Sequence, residues 1–270
     1  MKYALFTGGA GGLGGACAKA MAAEGWTVFA ADINDTALAE ISQTQNIIPI
    51  KVDITNQESV DAAHEEVAKY TTKLDAVINF AGMHTMCSMI EGNCSNTIEK
   101  MLMINVMGMV RINRTFVDMV LEGNGRIINC SSECGYLTAQ PFNGPYAITK
   151  YAVEAYTDSL RRELMFIGVP VVKIQPGSFK TNMHKSASAG LDNLISSTKY
   201  YGKVLNTLRP IMDNELKHAN DPKYLVSALL EAVDSEKPKI VYRVKNSHML
   251  RALEFIPTKL LEFGYRTVIK

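Results

Sequence analysis

The run Gly8-Gly9-Ala10-Gly11-Gly12-Leu13-Gly14 follows directly on a short apolar stretch, Tyr3 to Thr7. An apolar run that stops on so many glycines reads as a buried strand entering a tight turn, because glycine reaches backbone conformations that other residues avoid. From Gly15 the chain continues Ala-Cys-Ala-Lys-Ala-Met-Ala-Ala-Glu, a series of helix formers, and closes on Gly25, placed as a C-terminal cap. Trp26 to Ala31 is apolar again, which completes a β-α-β unit.

The alternation continues. A helix is expected near Thr36 to Ser42, a strand at Ile47 to Val52, a helix near Ser59 to Tyr70 and a strand at Leu74 to Asn79. One long helix is expected over Ile98 to Leu121, then a strand at Gly125 to Cys130, a helix at Tyr146 to Phe166 and a strand at Val169 to Ile174. Asp221-Pro222 would start a further helix, ahead of a last strand at Lys239 to Val244. Strands and helices taking turns predict an α/β fold, a doubly wound parallel sheet with helices on both faces. No repeat or linker divides the chain, so residues 1–270 are expected to form a single dinucleotide-binding catalytic domain.

Composition narrows the partners. Lys and Arg number 28 against 27 Asp and Glu, a formal charge of +1, without the basic excess a nucleic-acid surface needs. The five cysteines, Cys17, Cys87, Cys94, Cys130 and Cys134, lack paired short spacings and read as reduced thiols of a cytoplasmic protein. No secretory leader and no membrane span is expected. The partners should therefore be small molecules.

The glycine turn points to one of them. It follows a strand, opens a helix, and its Gly8 stands 24 positions before Asp32, which ends the second strand. A dinucleotide-binding turn has this layout, with an acidic residue some 20 positions on for the ribose. Gly8, Gly12 and Gly14, with Leu13 between them, would let the backbone approach a pyrophosphate at the helix start. A carboxylate at Asp32 accepts from the ribose hydroxyls of NAD and repels the extra phosphate of NADP, and Gly9, Ala10, Gly11 and Ile33 supply no cation to offset it. NAD is the expected cofactor. Asp53, followed by Ile54 at the end of the third strand, is placed to touch the adenine.

Tyr146-Ala147-Ile148-Thr149-Lys150 puts a phenol and an ammonium on one helix face. A fixed cation beside a phenol stabilises its phenolate and should lower its pKa from about 10, which suits Tyr146 to proton transfer. Upstream, Ser131-Ser132 follows a strand, so its hydroxyls belong at the carboxyl edge of the sheet, where ligands bind in such folds.

At this point the sequence resembles the short-chain dehydrogenase/reductase family. The likeness rests on Thr7-Gly8 with Gly12 and Gly14, Asn79-Phe80-Ala81-Gly82, Asn105, Ser131-Ser132, Tyr146 with Lys150, and Pro176-Gly177 with Thr181. It spans roughly residues 3 to 181 and implies a Rossmann-type fold. It also implies the roles. Tyr146 would transfer the proton, Ser132 hydrogen-bond the substrate oxygen, Lys150 hold the nicotinamide ribose and tune Tyr146, and Asn105 anchor a proton-relay water. Asn79, Ala81, Gly82, Pro176, Gly177 and Thr181 would join the cofactor site, Thr181 at the carboxamide. The chain departs from the family at Phe80, where asparagine is common, and in a Ser132-to-Tyr146 spacing of 14, which implies an altered loop at Glu133 to Pro145.

Tyr151 to Thr181 looks like the branch of hydroxysteroid and retinol dehydrogenases, which implies a bulky apolar alcohol or ketone as substrate and a homodimer or homotetramer. A carrier-linked 3-oxoacyl reductase and another small-alcohol dehydrogenase are the alternatives among enzymes; outside them stands an NAD-binding redox sensor or scaffold. A lid is expected at about 183–220, with Leu191, Leu194, Ile195, Tyr200, Tyr201, Val204 and Leu205 as candidate substrate contacts. The apolar tail at about 247–270 has three open placements: over the substrate cleft, on a second subunit, or on a membrane surface among Arg251, Lys259 and Arg266. His64, His84, His184, His218 and His248 have no metal-ligand spacing and read as surface or packing residues; His184, in the lid, is the one candidate substrate contact.

Overall fold

The computed structural model describes residues 1–268, the side chains of 182–185 and 268 excepted. Seven parallel strands form one sheet: β1 (Lys2–Thr7), β2 (Trp26–Asp32), β3 (Ile47–Lys51), β4 (Ala76–Asn79), β5 (Arg126–Cys130), β6 (Val171–Pro176) and β7 (Val241–Val244). Their order across the sheet is β3-β2-β1-β4-β5-β6-β7, so the order reverses between β1 and β4. In such sheets ligands bind at this reversal, outside the carboxyl ends of the strands.

The helices are α1 (Gly12–Ala23), α2 (Asp35–Ile41), α3 (Gln57–Ala68), α4 (Cys94–Leu102), α5 (Met109–Glu122), α6 (Gly144–Leu164), α7 (Asn182–Ser197), α8 (Gly202–Lys217), α9 (Lys223–Asp234), α10 (His248–Leu253) and α11 (Thr258–Val268). Two cores flank the sheet. One sets α1 and α9 on one face through Met21, Ala18, Leu225 and Leu229 against Ala4, Phe6 and Ile174. The other sets α3 and α5 on the opposite face through Val60, Val67, Ile112 and Phe116 against Leu5, Phe29 and Val77. Strands covered on both faces are mostly apolar, as the centres of β1, β2 and β4 are, whereas β6 also buries Lys173 and Gln175.

The expected alternation holds, with one difference. The long helix over Ile98 to Leu121 is broken: a π-helical stretch, Met103–Gly108, separates α4 from α5 and carries Asn105. A π-bulge of this kind often marks a functional site.

Candidate active site

The glycine turn forms a cradle. Gly8 (φ +68°) and Gly12 (φ +56°) occupy the left-handed region. A Cβ on Gly8 would stand 2.7 Å from the amide nitrogen of Ala81, and one on Gly14 only 2.1 Å from the carbonyl of Gly8. The turn is therefore pressed between α1 and the loop after β4. Gly11 and Gly12 differ, since a Cβ on either would meet nothing within 4 Å. The start of α1 has no side-chain cap. Its amides open on a cavity of about 2060 Å³ that Leu13 also lines, a fit for the pyrophosphate of a dinucleotide.

Asp32 ends β2 at the cavity wall, its carboxylate accepting from the amides of Ala10 (3.3 Å) and Asn34 (3.1 Å). One cation is near that the glycine turn does not reveal. Lys51 is the register partner of Asp32 on β3, but its Nζ donates to the Ile33 carbonyl (2.7 Å) and pairs with Asp35 (2.7 Å). Asp53 Oδ1 accepts from the amide (2.8 Å) and hydroxyl (2.7 Å) of Thr55. Its carboxylate thus caps a turn, and Asp53 and Ile54 line the cavity. Ala81, Gly82, Pro176, Gly177 and Thr181 also line the cavity.

Asn79 does not. It is buried among polar partners behind the strand ends, donating to Asn113 (2.7 Å) and Asn129 (3.0 Å). Its place is in a network that ties β4 to α5 and β5, so its expected part in the cofactor site is corrected to a structural one.

The reaction centre lies where β5 and α6 meet. Ser132 caps a short 3-10 turn, Glu133–Gly135, through the Cys134 amide (3.2 Å). Its hydroxyl lies near enough to the Tyr146 phenol to pull that phenol's pKa downward. Ser131 has its Oγ buried with no hydrogen-bond partner, so geometry favours Ser132 for the substrate oxygen. Gly144 and Pro145 open α6 and bring Tyr146 and Lys150 onto its buried face. Lys150 Nζ donates to the Cys130 carbonyl (3.0 Å) and lies 5.6 Å from the centre of the Tyr146 ring.

Electrostatics here departs from the sequence-based expectation. Burial pushes the Tyr146 phenol well above the usual tyrosine range, against a smaller pull downward from Ser132. Burial likewise lowers Lys150. Desolvation outweighs the neighbouring cation because a charge in this site has lost its water. A phenol shifted upward in this way is neutral at pH 7 and suited to donate a proton.

Asn105 is also placed differently from its expected role. It sits behind the cavity wall, its amide donating to the Met83 carbonyl (2.9 Å) and Thr149 Oγ1 (3.0 Å) while Oδ1 accepts from the Met83 amide (2.8 Å). With the side chain so engaged, it clamps the loop after β4 to α6. A relay water would have to be held by main-chain groups of the π-helical stretch.

His84, read in the sequence as a packing residue, lines the cavity with its ring centre 4.3 Å from that of Tyr146. His184 belongs to the side chains outside the described ones. Among the described residues no group of three or more His, Cys, Asp or Glu could hold a metal ion, and no helix is long and apolar enough to cross a membrane.

The lid contacts are corrected. Leu191, Leu194 and Leu205 are buried with Met86 in a core of the lid's own, against which Ile195 and Tyr201 pack. Tyr200 is exposed and Val204 half-buried, and the cavity is faced instead by Leu208, Ile211, Met212 and Leu216. The tail takes the first of its three placements. Leu250, Leu253, Ile256, Leu261 and Tyr265 line the cavity. Tail residues also bond the loop after the serines: Asn246 accepts from Tyr136 (2.7 Å), Glu254 from the Thr138 amide (2.6 Å), and Tyr265 donates to Gln140 (2.5 Å). Phe255 and Phe263 point outward.

Residues 2–192 match a family model described as short chain dehydrogenase. Human 17-beta-hydroxysteroid dehydrogenase type 6 is 28% identical over 97% of this chain and 87% of its own length. Mouse retinol dehydrogenase 16 is 31% identical over 84% and 69%. An NADPH-dependent 3-dehydrocapnine reductase from Ornithobacterium rhinotracheale is 30% identical over 97% and 95%. Among solved structures, a short-chain dehydrogenase/reductase from Burkholderia phymatum in complex with NAD superposes with a TM-score of 0.76 at 22% identity, over 97% of this chain and 95% of that one.

Proposed function

Because this chain belongs to the short-chain dehydrogenase family, we propose that it is an NAD(H)-dependent oxidoreductase that interconverts a secondary alcohol and a ketone on a bulky apolar substrate such as a hydroxysteroid. The observation that carries this reading is that Ser132 and Tyr146, with Lys150 one helical turn on, share the wall of a large cavity roofed by apolar side chains.

The cradle at Gly11 and Gly12, Asp32, Asp53, Ile54, Ala81, Gly82, Thr181 and Lys150 would hold the dinucleotide. When bound, it supplies the hydride donor or acceptor and, in its oxidised form, a positive charge. The chain's own residues manage the proton. Ser132 and Tyr146 direct their hydroxyls at one substrate oxygen. In reduction the neutral Tyr146 gives its proton to that oxygen as negative charge develops there. In oxidation Tyr146 must first be ionised, and Lys150, the nearest ammonium, stabilises its phenolate. Leu208, Ile211, Leu253 and Leu261 exclude water around the reacting groups.

NAD is favoured by Asp32, whose carboxylate faces the cavity while Lys51 is turned to Asp35. The Ornithobacterium relative is named for NADPH, so cofactor choice is a separate test. The apolar cleft, together with the hydroxysteroid and retinol relatives, supports a bulky substrate. Absorbance at the reduced-nicotinamide band, with NAD and NADP each offered steroids, retinol and short alcohols, tests the proposal. Selective turnover of a bulky alcohol with NAD is expected. Preference for short polar alcohols would overturn the substrate, and preference for NADP the cofactor.

A further inference from the structure

His84 follows Met83, whose main-chain amide and carbonyl are both held by Asn105. The backbone that presents the imidazole is therefore fixed to the π-helical stretch. Its Nε2 meets Asn143 Oδ1 at 2.8 Å. The Asn143 amide group donates in turn to Cys134 Sγ (3.5 Å), which turns the oxygen toward the imidazole, so Nε2 is the donor. Asn143 is the residue just before α6, three positions ahead of Tyr146. The His84 ring thus spans from the N-terminus of α6 to the Tyr146 ring, which it meets at 4.3 Å between centres and a 37° tilt. Close contact between two aromatic rings favours particular mutual geometries.

We propose that His84 is a positioning residue for Tyr146, its ring set against the phenol ring and its bond to Asn143 holding the phenol beside Ser132, where it can reach the substrate oxygen. This rests on the proton-transfer role proposed for Tyr146. Three elements converge on the phenol: α6 carries it, the β5 loop supplies Ser132, and the β4 loop supplies the imidazole. Tyr146 is nearly buried, and the last of these contacts sets an aromatic ring directly against its own. A small misplacement of a reacting group costs up to about 100-fold in rate.

The test compares His84→Ala, which loses ring and bond, with His84→Phe, which keeps a ring. The readouts are kcat, KM and dinucleotide affinity on the best alcohol of the panel, with thermal unfolding as a folding control. The expected result is a kcat lowered by about 10- to 100-fold in His84→Ala, with KM and NADH affinity nearly unchanged, and substantial recovery in His84→Phe. A kcat within twofold of the parent, a loss confined to KM, or a folded His84→Phe as impaired as His84→Ala would overturn the proposal. Proton NMR of the histidine rings adds a substrate-independent readout. A His84 resonance displaced by the Tyr146 ring current, and released in Tyr146→Leu, is expected; an undisplaced resonance overturns the inference even where an alcohol is turned over. A displaced resonance without turnover of any panel alcohol supports the placement and counts against the proposed substrate alone.

Discussion

Glu133 accepts a hydrogen bond from the main-chain amide of Ser247 at 2.6 Å, which joins the residue after Ser132 to the start of the C-terminal tail. Burial raises the carboxyl to about 7, against a smaller pull downward from the Ser247 amide. A folded-state pKa above the unfolded value means that the folded protein binds the extra proton between about pH 4.5 and 7. This group's contribution therefore favours the folded state at the acid end and is lost as pH rises through about 7. Glu133→Gln should flatten the pH dependence of thermal stability over that range. At pH 8 it should also relieve a penalty of at most about 3–4 kcal/mol; calorimetry of both proteins from pH 5 to 8 measures it.

Asp32→Ala removes the carboxylate that faces the cavity at the end of β2. With Lys51 within reach of the same corner, the variant should lose about tenfold in kcat/KM with NAD and gain with NADP, as expected when a repulsion of about 1.4 kcal/mol is removed. Paired kinetics with the two cofactors test this, and an unchanged ratio would remove Asp32 from cofactor selection.

Asn79→Leu should destabilise the fold by about 1–3 kcal/mol, because Asn113 and Asn129 lose a buried partner. Affinity for NADH should hardly change, since Asn79 does not line the cavity. Denaturant unfolding alongside a fluorescence titration separates the two effects.

Leu253→Asp places a charge in the roof of the cavity. KM for a bulky apolar alcohol should rise about tenfold or more, with NADH affinity retained. Steady-state kinetics on a bulky and a short alcohol would show the effect on the first only.

Much of this molecule is legible from the residues alone. The strand, glycine turn and helix from Lys2 to Ala23 carry their own signals, as do Asp32 and the Tyr146 to Lys150 spacing, because each depends on neighbours close in sequence. What is hidden depends on contacts between distant segments. His84 meets Asn143 59 positions away, and Glu254 meets Thr138 116 positions away; no periodicity encodes either. Lys51 escapes notice because only strand register brings it beside Asp32. The break at Met103–Gly108 is silent because the apolar pattern runs through it. Leu191, Leu194 and Leu205 show an amphipathic face correctly but not which way it turns. Asn79 and Asn105 are recognisable by type, yet their side chains are occupied by Asn113, Asn129, Met83 and Thr149, so each acts by holding structure together.

The most direct test of the central claim is turnover and NADH binding in Tyr146→Phe, which keeps the ring against His84 and loses the hydroxyl. The account predicts that turnover falls by about 100- to 10,000-fold while NADH binds as in the parent. Turnover close to the parental rate would contradict it.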